Sequence, residues 1–368
     1  MATKIPATVV TGFLGAGKTT LIRHLLQTAR GRRIALVINE FGDLGVDGEI
    51  LKGCGDALCR EDDMVELSNG CICCTVAEDF VPTIEALIAR DEPPDHIVIE
   101  TSGLALPQPL IRAFNWPAIR TAVTVDGVVA VIDGPAVADG RFAHDVAAVD
   151  RQRAADDGLD HETPLAELFA DQLASADMVV VNKADILGPE GTRAVAETLG
   201  AQVRAGVQVI EAQMGAVEPA VLLGLGIGAE DDMEARGEAH HHHHDHDDHH
   251  HDDDDHDDDH HRHDDHDHDA FESFVVTLPE VSDAKALHDR VARAIASNGL
   301  LRVKGFAAVT GKPMRLVLQA VGPRIDTHFD RPFAASEPRE TRLVVIGHAG
   351  IDRAGVEEAL RQPQPVAG

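Results

Sequence analysis

Short apolar runs alternate with helical patterns along the first 225 residues. The strand-like runs are rich in Val and Ile and read, in order, ATVVT, RIALVIN, DHIVIETS, GVVAVID, DMVVVNK and VQVI. Several segments between them carry apolar residues on one helical face: FVPTIEALIAR, PLAELFADQL and TRAVAETL. Strands this apolar, joined by crossover helices, predict a mostly parallel sheet with helices on both faces. We therefore expect an α/β domain over residues 1–225.

The pattern changes abruptly at Gly226. Apolar residues disappear and a His/Asp tract runs to Asp269, a composition that cannot bury a core, so residues 226–269 are predicted to form a disordered linker. Regular patterns then resume, with strands FESFVVTL, LLRVKGFAAV, RLVLQAV and TRLVVIG and a helix DAKALHDRVARAIAS. They predict a small α+β domain over 270–346, with helices on one face of an antiparallel sheet. Residues 347–368 are expected to be a C-terminal tail.

A glycine-rich stretch, GFLGAGKT, separates the first predicted strand from the helical pattern TLIRHLLQTAR. Strand, glycine loop, lysine, hydroxyl and helix is the context of a phosphate-binding P-loop, rather than of a turn that binds nothing. Backbone N–H groups would meet phosphate oxygens, Lys18 would neutralise phosphate charge, and Thr19 would offer its hydroxyl to Mg²⁺. The nucleotide-binding residues expected here are Gly12, Gly15, Ala16, Gly17, Lys18, Thr19 and Thr20.

The run DMVVVNKAD points to guanine. It places Asn182, Lys183 and Asp185 at the carboxyl end of a predicted strand, where open α/β sheets bind ligands. A carboxylate there accepts two hydrogen bonds from the N1–H and N2–H₂ edge of guanine, and adenine has no matching donors. The alternative is an ordinary strand-end turn capped by Asn and Asp. Because the run follows a P-loop in the right chain order, we expect it to contact guanine, and we expect the chain to bind GTP.

Two further segments extend the predicted nucleotide site. IVIETSG places Glu100 and Gly103 where GTPases need an acidic residue near Mg²⁺ and a glycine N–H near the γ-phosphate. Lys18 and Glu100 are therefore the expected catalytic residues, and hydrolysis is expected to be slow because no residue that orients the attacking water is evident. INEFGDLGVDGE, with Glu40, suits a switch segment, and Glu40 is also a candidate metal ligand. A strand-end turn and a bare acidic loop are the respective alternatives.

Three cysteines in four residues, Cys71, Cys73 and Cys74, follow this candidate switch segment. Such spacing is typical of a soft-metal site, since thiolates two residues apart can share one tetrahedral ion. A vicinal redox pair and incidental buried cysteines are the alternatives. The motif lies between the switch segment and Glu100, so metal and nucleotide could each alter the affinity for the other. Cys54 and Cys59 are left out of the predicted site.

Composition and charge exclude several classes of binding partner. The formal net charge of −31 argues against nucleic acid or an anionic membrane as a partner. No stretch is long and apolar enough to span a bilayer, and the N-terminal residues lack the features of a secretory signal. A cytoplasmic protein is therefore expected, with its five cysteines as thiols.

Fifteen of the 22 histidines lie between His240 and His268, interleaved with aspartates. Neutral imidazole is a common metal ligand, and thirty flexible residues would span about 30 Å. The tract could therefore collect metal ions weakly near the thiols. The alternative is a solvated linker with no metal role.

In this order, GFLGAGKTT, NEFG, NGCICC, ETSG and NKAD resemble the metallochaperone GTPases of the CobW type, in the same broad class as the nickel GTPases UreG and HypB. The resemblance covers nearly the whole chain, because that family also has a small C-terminal α+β domain behind a His-rich linker. It implies GTP hydrolysis coupled to metal delivery. For the cobalamin branch, the implied cargo is Co²⁺ and the receiving partner is a cobaltochelatase. Glu100 departs from the wider GTPase pattern, which has Asp at this position.

The main hypothesis is thus a GTP-switched metal carrier with Mg²⁺ and Co²⁺ (or Zn²⁺). A Zn²⁺ metallochaperone of the same family is the first alternative, a His-rich storage or buffering protein the second, and a redox regulator the third. A nucleotide- or metal-dependent dimer is left open.

Overall fold

The structure is a computed structural model, and it describes residues 4–29, 31–38, 64–66, 80–155, 164–231, 233, 236, 271–334 and 337–362. Two sheets, each with its own helices, make up these residues. Among the described helices, none is both long and apolar enough to cross a membrane.

The first sheet is parallel throughout its described pairings, in the strand order β3-β2-β4-β1-β5-β6-β7. Its strands are β1 (Ile5–Thr11), β2 (Ile34–Ile38), β3 (Met64–Glu66), β4 (His96–Glu100), β5 (Val123–Asp133), β6 (Met178–Asn182) and β7 (Gln208–Glu211). The six strands predicted from apolar runs are all present. The unpredicted β3 is three residues long, too short to show a periodicity of its own.

Helices cover both faces of this sheet, as predicted. They are α1 (Lys18–Thr28), α2 (Val81–Ile88), α3 (Pro107–Ala113), α4 (Gly134–Ala138), α5 (Val146–Ala155), α6 (Leu165–Ser175), α7 (Ala184–Gly200) and α8 (Pro219–Leu222). On one face, Leu21 and Leu25 of α1 pack with Ile84 of α2 in the main core. On the other face, Leu173 of α6 and Leu199 of α7 pack in a separate cluster. The predicted P-loop α/β architecture is therefore confirmed.

The second sheet is antiparallel, in the order β11-β10-β9-β12-β8. Its strands are β8 (Phe271–Leu278), β9 (Arg302–Ala308), β10 (Met314–Val321), β11 (Arg324–Pro332) and β12 (Thr341–His348), and its helices are α9 (Ala284–Asn298) and α10 (Arg353–Arg361). Leu287 and Val291 of α9 and Val356 and Leu360 of α10 are buried in one cluster with the inner face of the sheet. The predicted α+β class of this domain is confirmed.

Two expected boundaries differ from the structure. The expected linker began at residue 226, yet Ile227 and Ala229 are buried in the core of the first domain, and the Glu230 carboxylate accepts the Val125 N–H at 2.8 Å. The expected tail began at residue 347, yet it contains α10, which is part of the second core. Both segments contain few apolar residues, so their own sequence gives little sign that they are buried. Their burial depends on contacts with residues that are distant along the chain.

The two domains share a buried interface. Phe271, Leu301, Val321 and Ile346 of the second domain belong to the core cluster of the first. Arg302 of β9 is 3 % exposed and donates to the carbonyl oxygens of Ala220 and Leu223.

Candidate functional site

The predicted site residues converge on the carboxyl edge of the first sheet. β1 ends at the glycine loop, β4 ends at Glu100, and β6 ends at Asn182. Because the strands are parallel, these ends meet at one edge, on both sides of the central strand β1.

At three positions, the loop between β1 and α1 has a backbone conformation that favours glycine. Gly12, Gly15 and Gly17 have φ angles of 138°, 76° and 100°. A Cβ on Gly12 would lie 2.1 Å from the carbonyl oxygen of Val131, and one on Gly17 would lie 2.2 Å from the Asn182 amide nitrogen. The loop is thus pressed against β5 and β6, and its conformation is set by the sheet.

Lys18 opens α1, and its ammonium group is held inside the loop. The side chain is 8 % exposed, and Nζ donates to the carbonyl oxygens of Gly12 at 2.9 Å and Phe13 at 3.4 Å. These bonds place a positive charge at the helix N-terminus, where backbone N–H groups also favour anions. Such an arrangement is suited to phosphate.

Thr19 and Glu100 lie side by side beneath the loop. The Thr19 hydroxyl donates to Glu100 Oε1 at 3.0 Å, and Glu100 is 5 % exposed. Hydroxyl and carboxylate oxygens are the hard donors that Mg²⁺ takes, usually with several waters and phosphate oxygens. These two residues therefore fit a Mg²⁺ ion.

A cavity of about 320 Å³ lies over these groups. Of the predicted residues, it is lined by Gly15, Gly17, Lys18, Thr19, Thr20, Glu100 and Gly103. One polar residue that the sequence did not indicate, Gln152 of α5, also lines it.

The turn after Glu100 is fixed from behind by Gln172, a fully buried residue of α6. Its amide Nε2 donates to the carbonyl oxygens of Gly103 at 3.1 Å and Ala105 at 3.3 Å. Gly103 itself leaves no room for a side chain, because a Cβ there would lie 2.8 Å from the Leu14 backbone nitrogen. The turn and the glycine loop are therefore in close backbone contact.

Asn182 connects the phosphate side of the site with the next turn. Its amide Nδ2 donates to the carbonyl oxygen of Ala16 at 2.9 Å, while its Oδ1 accepts the Gly215 N–H at 3.0 Å. The side chain is 3 % exposed. These contacts hold the glycine loop and the turn at Gly215 in a fixed relation, whereas a contact of Asn182 with guanine stays a prediction.

Lys183 and Asp185 lie on the outer side of this junction. Lys183 adopts a left-handed backbone conformation with φ 61°, and its Nζ donates to Asp133 Oδ2 at 2.6 Å. Asp133, at the end of β5, also caps α4 by accepting the Ala136 N–H at 3.2 Å. Asp185 is exposed in the first turn of α7 and lines a second cavity of about 630 Å³ between α7 and β7. An exposed carboxylate here is accessible to a base.

Apart from Thr19, which was predicted for Mg²⁺, the predicted metal ligands lie outside the described residues. These are Glu40, Cys71, Cys73 and Cys74; the His/Asp tract lies outside them as well. Within the part of the chain that the structure describes, no group of three or more His, Cys, Asp or Glu side chains is arranged to hold a metal ion.

Three residues of the site were not predicted from the sequence: Asp133, Gln172 and Gln152. Asp133 ends an apolar strand, so the strand-end rule that indicated Asn182 could also have indicated it. Gln172 lies in the apolar stripe of α6 between Leu168 and Leu173, and a polar residue in such a stripe is a detectable signal. No sequence pattern singles out Gln152.

Comparison with known families agrees with this geometry. Residues 6–211 match the family model described as CobW/HypB/UreG, nucleotide-binding domain, and residues 271–363 match the cobalamin synthesis protein cobW C-terminal domain. A zinc chaperone CobW from Sinorhizobium sp is 56 % identical over 357 residues, covering 97 % of this chain and 96 % of the relative. A zinc chaperone CobW from Pseudomonas aeruginosa is 52 % identical over 362 residues, covering 97 % and 91 %.

Among solved structures, the crystal structure of Zn(II)-bound YjiA GTPase from E. coli is 23 % identical, with a TM-score of 0.39, and the match covers 98 % of this chain and 100 % of that one. The glycine loop, the Thr19–Glu100 pair and the two family matches lead to one conclusion: this chain belongs to the CobW/HypB/UreG family, and its first domain is a GTPase.

Proposed function

We propose that this GTPase is a carrier of a divalent transition-metal ion, in which bound nucleotide controls a thiolate site formed by Cys71, Cys73 and Cys74. One observation supports the proposal most directly. The strands β2 and β3 end at the same edge of the sheet as the nucleotide cavity, and Ile38 at the end of β2 lines that cavity. Glu40 follows the end of β2 by two residues, and Cys71 follows the end of β3 by five.

The described residues supply the nucleotide part of this function. The glycine loop and Lys18 bind the phosphates, and Thr19 and Glu100 would hold Mg²⁺, which neutralises charge on the β- and γ-phosphates. The Gly103 N–H donates a hydrogen bond to the γ-phosphate when GTP is bound. The turn that Gln172 holds therefore responds to the presence of this phosphate. Asn182, Lys183 and Asp185 lie on the base side of the site, and Asp185 selects guanine.

The cargo we propose first is Zn²⁺, because the two near-full-length relatives carry the name zinc chaperone. Thiolate ligands suit Zn²⁺, and its affinity for such sites usually exceeds that of Co²⁺. Delivery of Co²⁺ to a cobaltochelatase, which the sequence resemblance implied, is the alternative within the same mechanism. In either case, the ion passes to a receiving protein after GTP hydrolysis.

A metal-storage protein is the second candidate, and the 15 histidines of the tract favour it. In a store, the number of bound ions would depend on the tract and hardly at all on nucleotide. In a carrier, one tight site would depend on nucleotide and on the cysteines.

The test is a competition titration of Zn²⁺ and Co²⁺ against a chelator, with Mg²⁺ plus a non-hydrolysable GTP analogue and then with Mg²⁺ plus GDP. We expect the analogue to tighten one site by at least about 100-fold, a coupling free energy of roughly 3 kcal/mol. Cys73→Ser should remove the tight site, and Cys59→Ser is the matched control that should keep it. A variant lacking residues 240–269 separates this site from the tract.

Equal affinity in the two nucleotide states would contradict the carrier. If the variant lacking residues 240–269 also bound far fewer metal ions, the storage function would replace the carrier function.

A further inference from the structure

Gln152 brings an amide group to the nucleotide cavity from a helix that carries none of the predicted site residues. It lies on α5, near the end of that helix, and it lines the cavity together with Lys18, Thr19 and Glu100. The neighbouring Arg151 is exposed, with 71 % of its side chain accessible. Gln152 is therefore on the inward side of α5.

The amide oxygen of Gln152 is buried and has no hydrogen-bond partner among the described residues. A buried acceptor without a partner destabilises the folded protein, because its hydration is lost and no hydrogen bond replaces it. Orphaned buried polar atoms in native structures call for an explanation, and a catalytic role is one of the recognised ones. In a phosphate-binding cavity, a water molecule or a phosphate-bound hydroxyl can serve as the donor to this oxygen.

The position of this oxygen is specific. A Cβ on Gly103 would lie 3.2 Å from Gln152 Oε1, so the amide lies directly over the turn that follows Glu100. That same Cβ would lie 2.8 Å from the Leu14 backbone nitrogen. The glycine loop, the turn and the Gln152 amide therefore meet at one point, at the end of the cavity where a γ-phosphate would contact the Gly103 N–H.

The surroundings hold this point rigidly. Gln172 fixes the turn by two hydrogen bonds to the carbonyl oxygens of Gly103 and Ala105. Phe13 of the glycine loop packs against Phe142, which lies just before α5, and Phe169 of α6, with ring centroids 6.0 and 5.9 Å apart. Loop, turn and both helices thus form one packed unit, as a group that positions a reactant requires.

We propose that Gln152 is a catalytic residue of GTP hydrolysis and that its side-chain amide orients the attacking water. Gln152 Oε1 accepts a hydrogen bond from the water, whose oxygen forms a bond to the γ-phosphorus. The bond between that phosphorus and the β–γ bridging oxygen breaks, and its electron pair stays on the β-phosphate of GDP. One proton of the water stays on the attacking oxygen, and the other passes to a second oxygen of the released phosphate. Gln152 stays neutral and unchanged.

The test is single-turnover GTP hydrolysis by the full chain, with Mg²⁺ and no transition metal, for Gln152→Ala and Gln152→Met. Met keeps the length of the side chain and removes the amide, so it serves if the alanine variant packs poorly. We expect the rate to fall by about 10²-fold in both variants, the effect typical of losing one positioned hydrogen-bonding group. The affinity for a non-hydrolysable GTP analogue should stay within threefold.

The matched control is Arg151→Ala, one residue away on the exposed side of α5, which should hydrolyse GTP within twofold of the natural chain. The proposal is overturned if the Met variant keeps its rate within threefold. It is equally overturned if the analogue affinity falls while the rate at saturating GTP is unchanged, since Gln152 would then only bind phosphate. The readout contains no transition metal, so either outcome leaves the proposed metal carriage untouched.

Discussion

The first sheet carries buried polar groups at both ends, and the two sets differ in how they are satisfied. At the domain interface, the Asp126 carboxylate accepts the Gly224 and Gly226 N–H groups at 2.5 and 2.7 Å and lies 3.5 Å from the Thr8 hydroxyl. At the carboxyl edge, the Thr11 hydroxyl, the Ser102 hydroxyl and the Gln152 amide oxygen are buried and have no partner among the described residues.

This difference separates structural from functional polar groups. The interface set is bonded within the protein: Asp126 holds the segment around Gly224, and the preceding Leu223 carbonyl accepts a hydrogen bond from Arg302 of the second domain. The edge set leaves polar atoms that have no partner among the described residues, and a bound nucleotide with its ordered water would supply donors and acceptors to them. Two expectations follow: changes at the edge should alter GTP turnover with little change in stability, and changes at the interface should do the reverse.

The largest expected effect is at the edge. Lys18→Ala removes the charge that the loop holds beside its carbonyl oxygens, so we expect single-turnover GTP hydrolysis to fall by about 10³-fold or more. The midpoint of thermal unfolding should change by only a few degrees. Lys285→Ala is a control, because that lysine is 82 % exposed on α9. Loss of folding in Lys18→Ala, measured by circular dichroism, would contradict the separation of the two sets.

The interface should respond to pH. Burial, opposed by the Asp126 carboxylate and reinforced by Arg32 and Arg302, lowers the pKa of His96 to about 4. Between pH 6.5 and 4 the unfolded chain binds a proton at this residue that the folded protein does not. The stability that neutral His96 contributes is therefore complete above pH 6.5 and is lost as the pH falls toward 4, by an amount on the order of 3 kcal/mol.

Denaturant unfolding at several pH values checks this prediction. His96→Gln keeps a hydrogen-bonding group near the Thr8 hydroxyl, which lies 2.8 Å from His96 Nε2, and does not titrate. Its stability should fall less steeply over the same range. Parallel pH curves for the two proteins would show that His96 does not carry the effect.

The smallest expected effect is on the base side of the edge. Asp133→Asn weakens a charge-assisted hydrogen bond with Lys183 and keeps its shape, so we expect GTP and GDP to bind about 5- to 20-fold more weakly, or roughly 1–2 kcal/mol. Calorimetric titration with GDP measures this change. The exposed Asp326→Asn on β11 should bind GDP as the natural chain does. An unchanged affinity in Asp133→Asn would show that Lys183 needs no partner to act at this site.

The sequence predicted the elements whose own residues carry a complete pattern. The six apolar strands, the glycine loop and the strand-end residues Glu100 and Asn182 all came from local signals. β11 was missed because its residues, RIDTHFDRP, are almost all exposed. They therefore show no alternation of apolar and polar positions. α10 was missed because its apolar face is small: Val356 and Leu360 are buried, Ala359 is partly buried, and they pack in one cluster with α9.

The contacts between distant segments could not be predicted from the sequence. Gln152 meets the turn at Gly103 only because α5 packs beside the glycine loop, and no spacing along the chain encodes that meeting. Asn182 was expected from its strand end, but its two hydrogen bonds to Ala16 and Gly215 depend on how three loops come together. The buried contacts of His96 with Thr8 and Asp126 likewise join residues that are far apart along the chain.

The fold also fixes the two ends of the segment that contains the histidine tract. Arg236 is fully buried and donates to Asp177 at 2.7 Å, and Phe271 is buried in the core of the first domain. Residues 237–270 therefore connect two positions that are both buried in the folded protein. Loop-closure entropy grows only slowly, so doubling the length of this segment would cost about 0.6 kcal/mol. We therefore expect the number of histidines in this segment to have little effect on how the two domains are arranged.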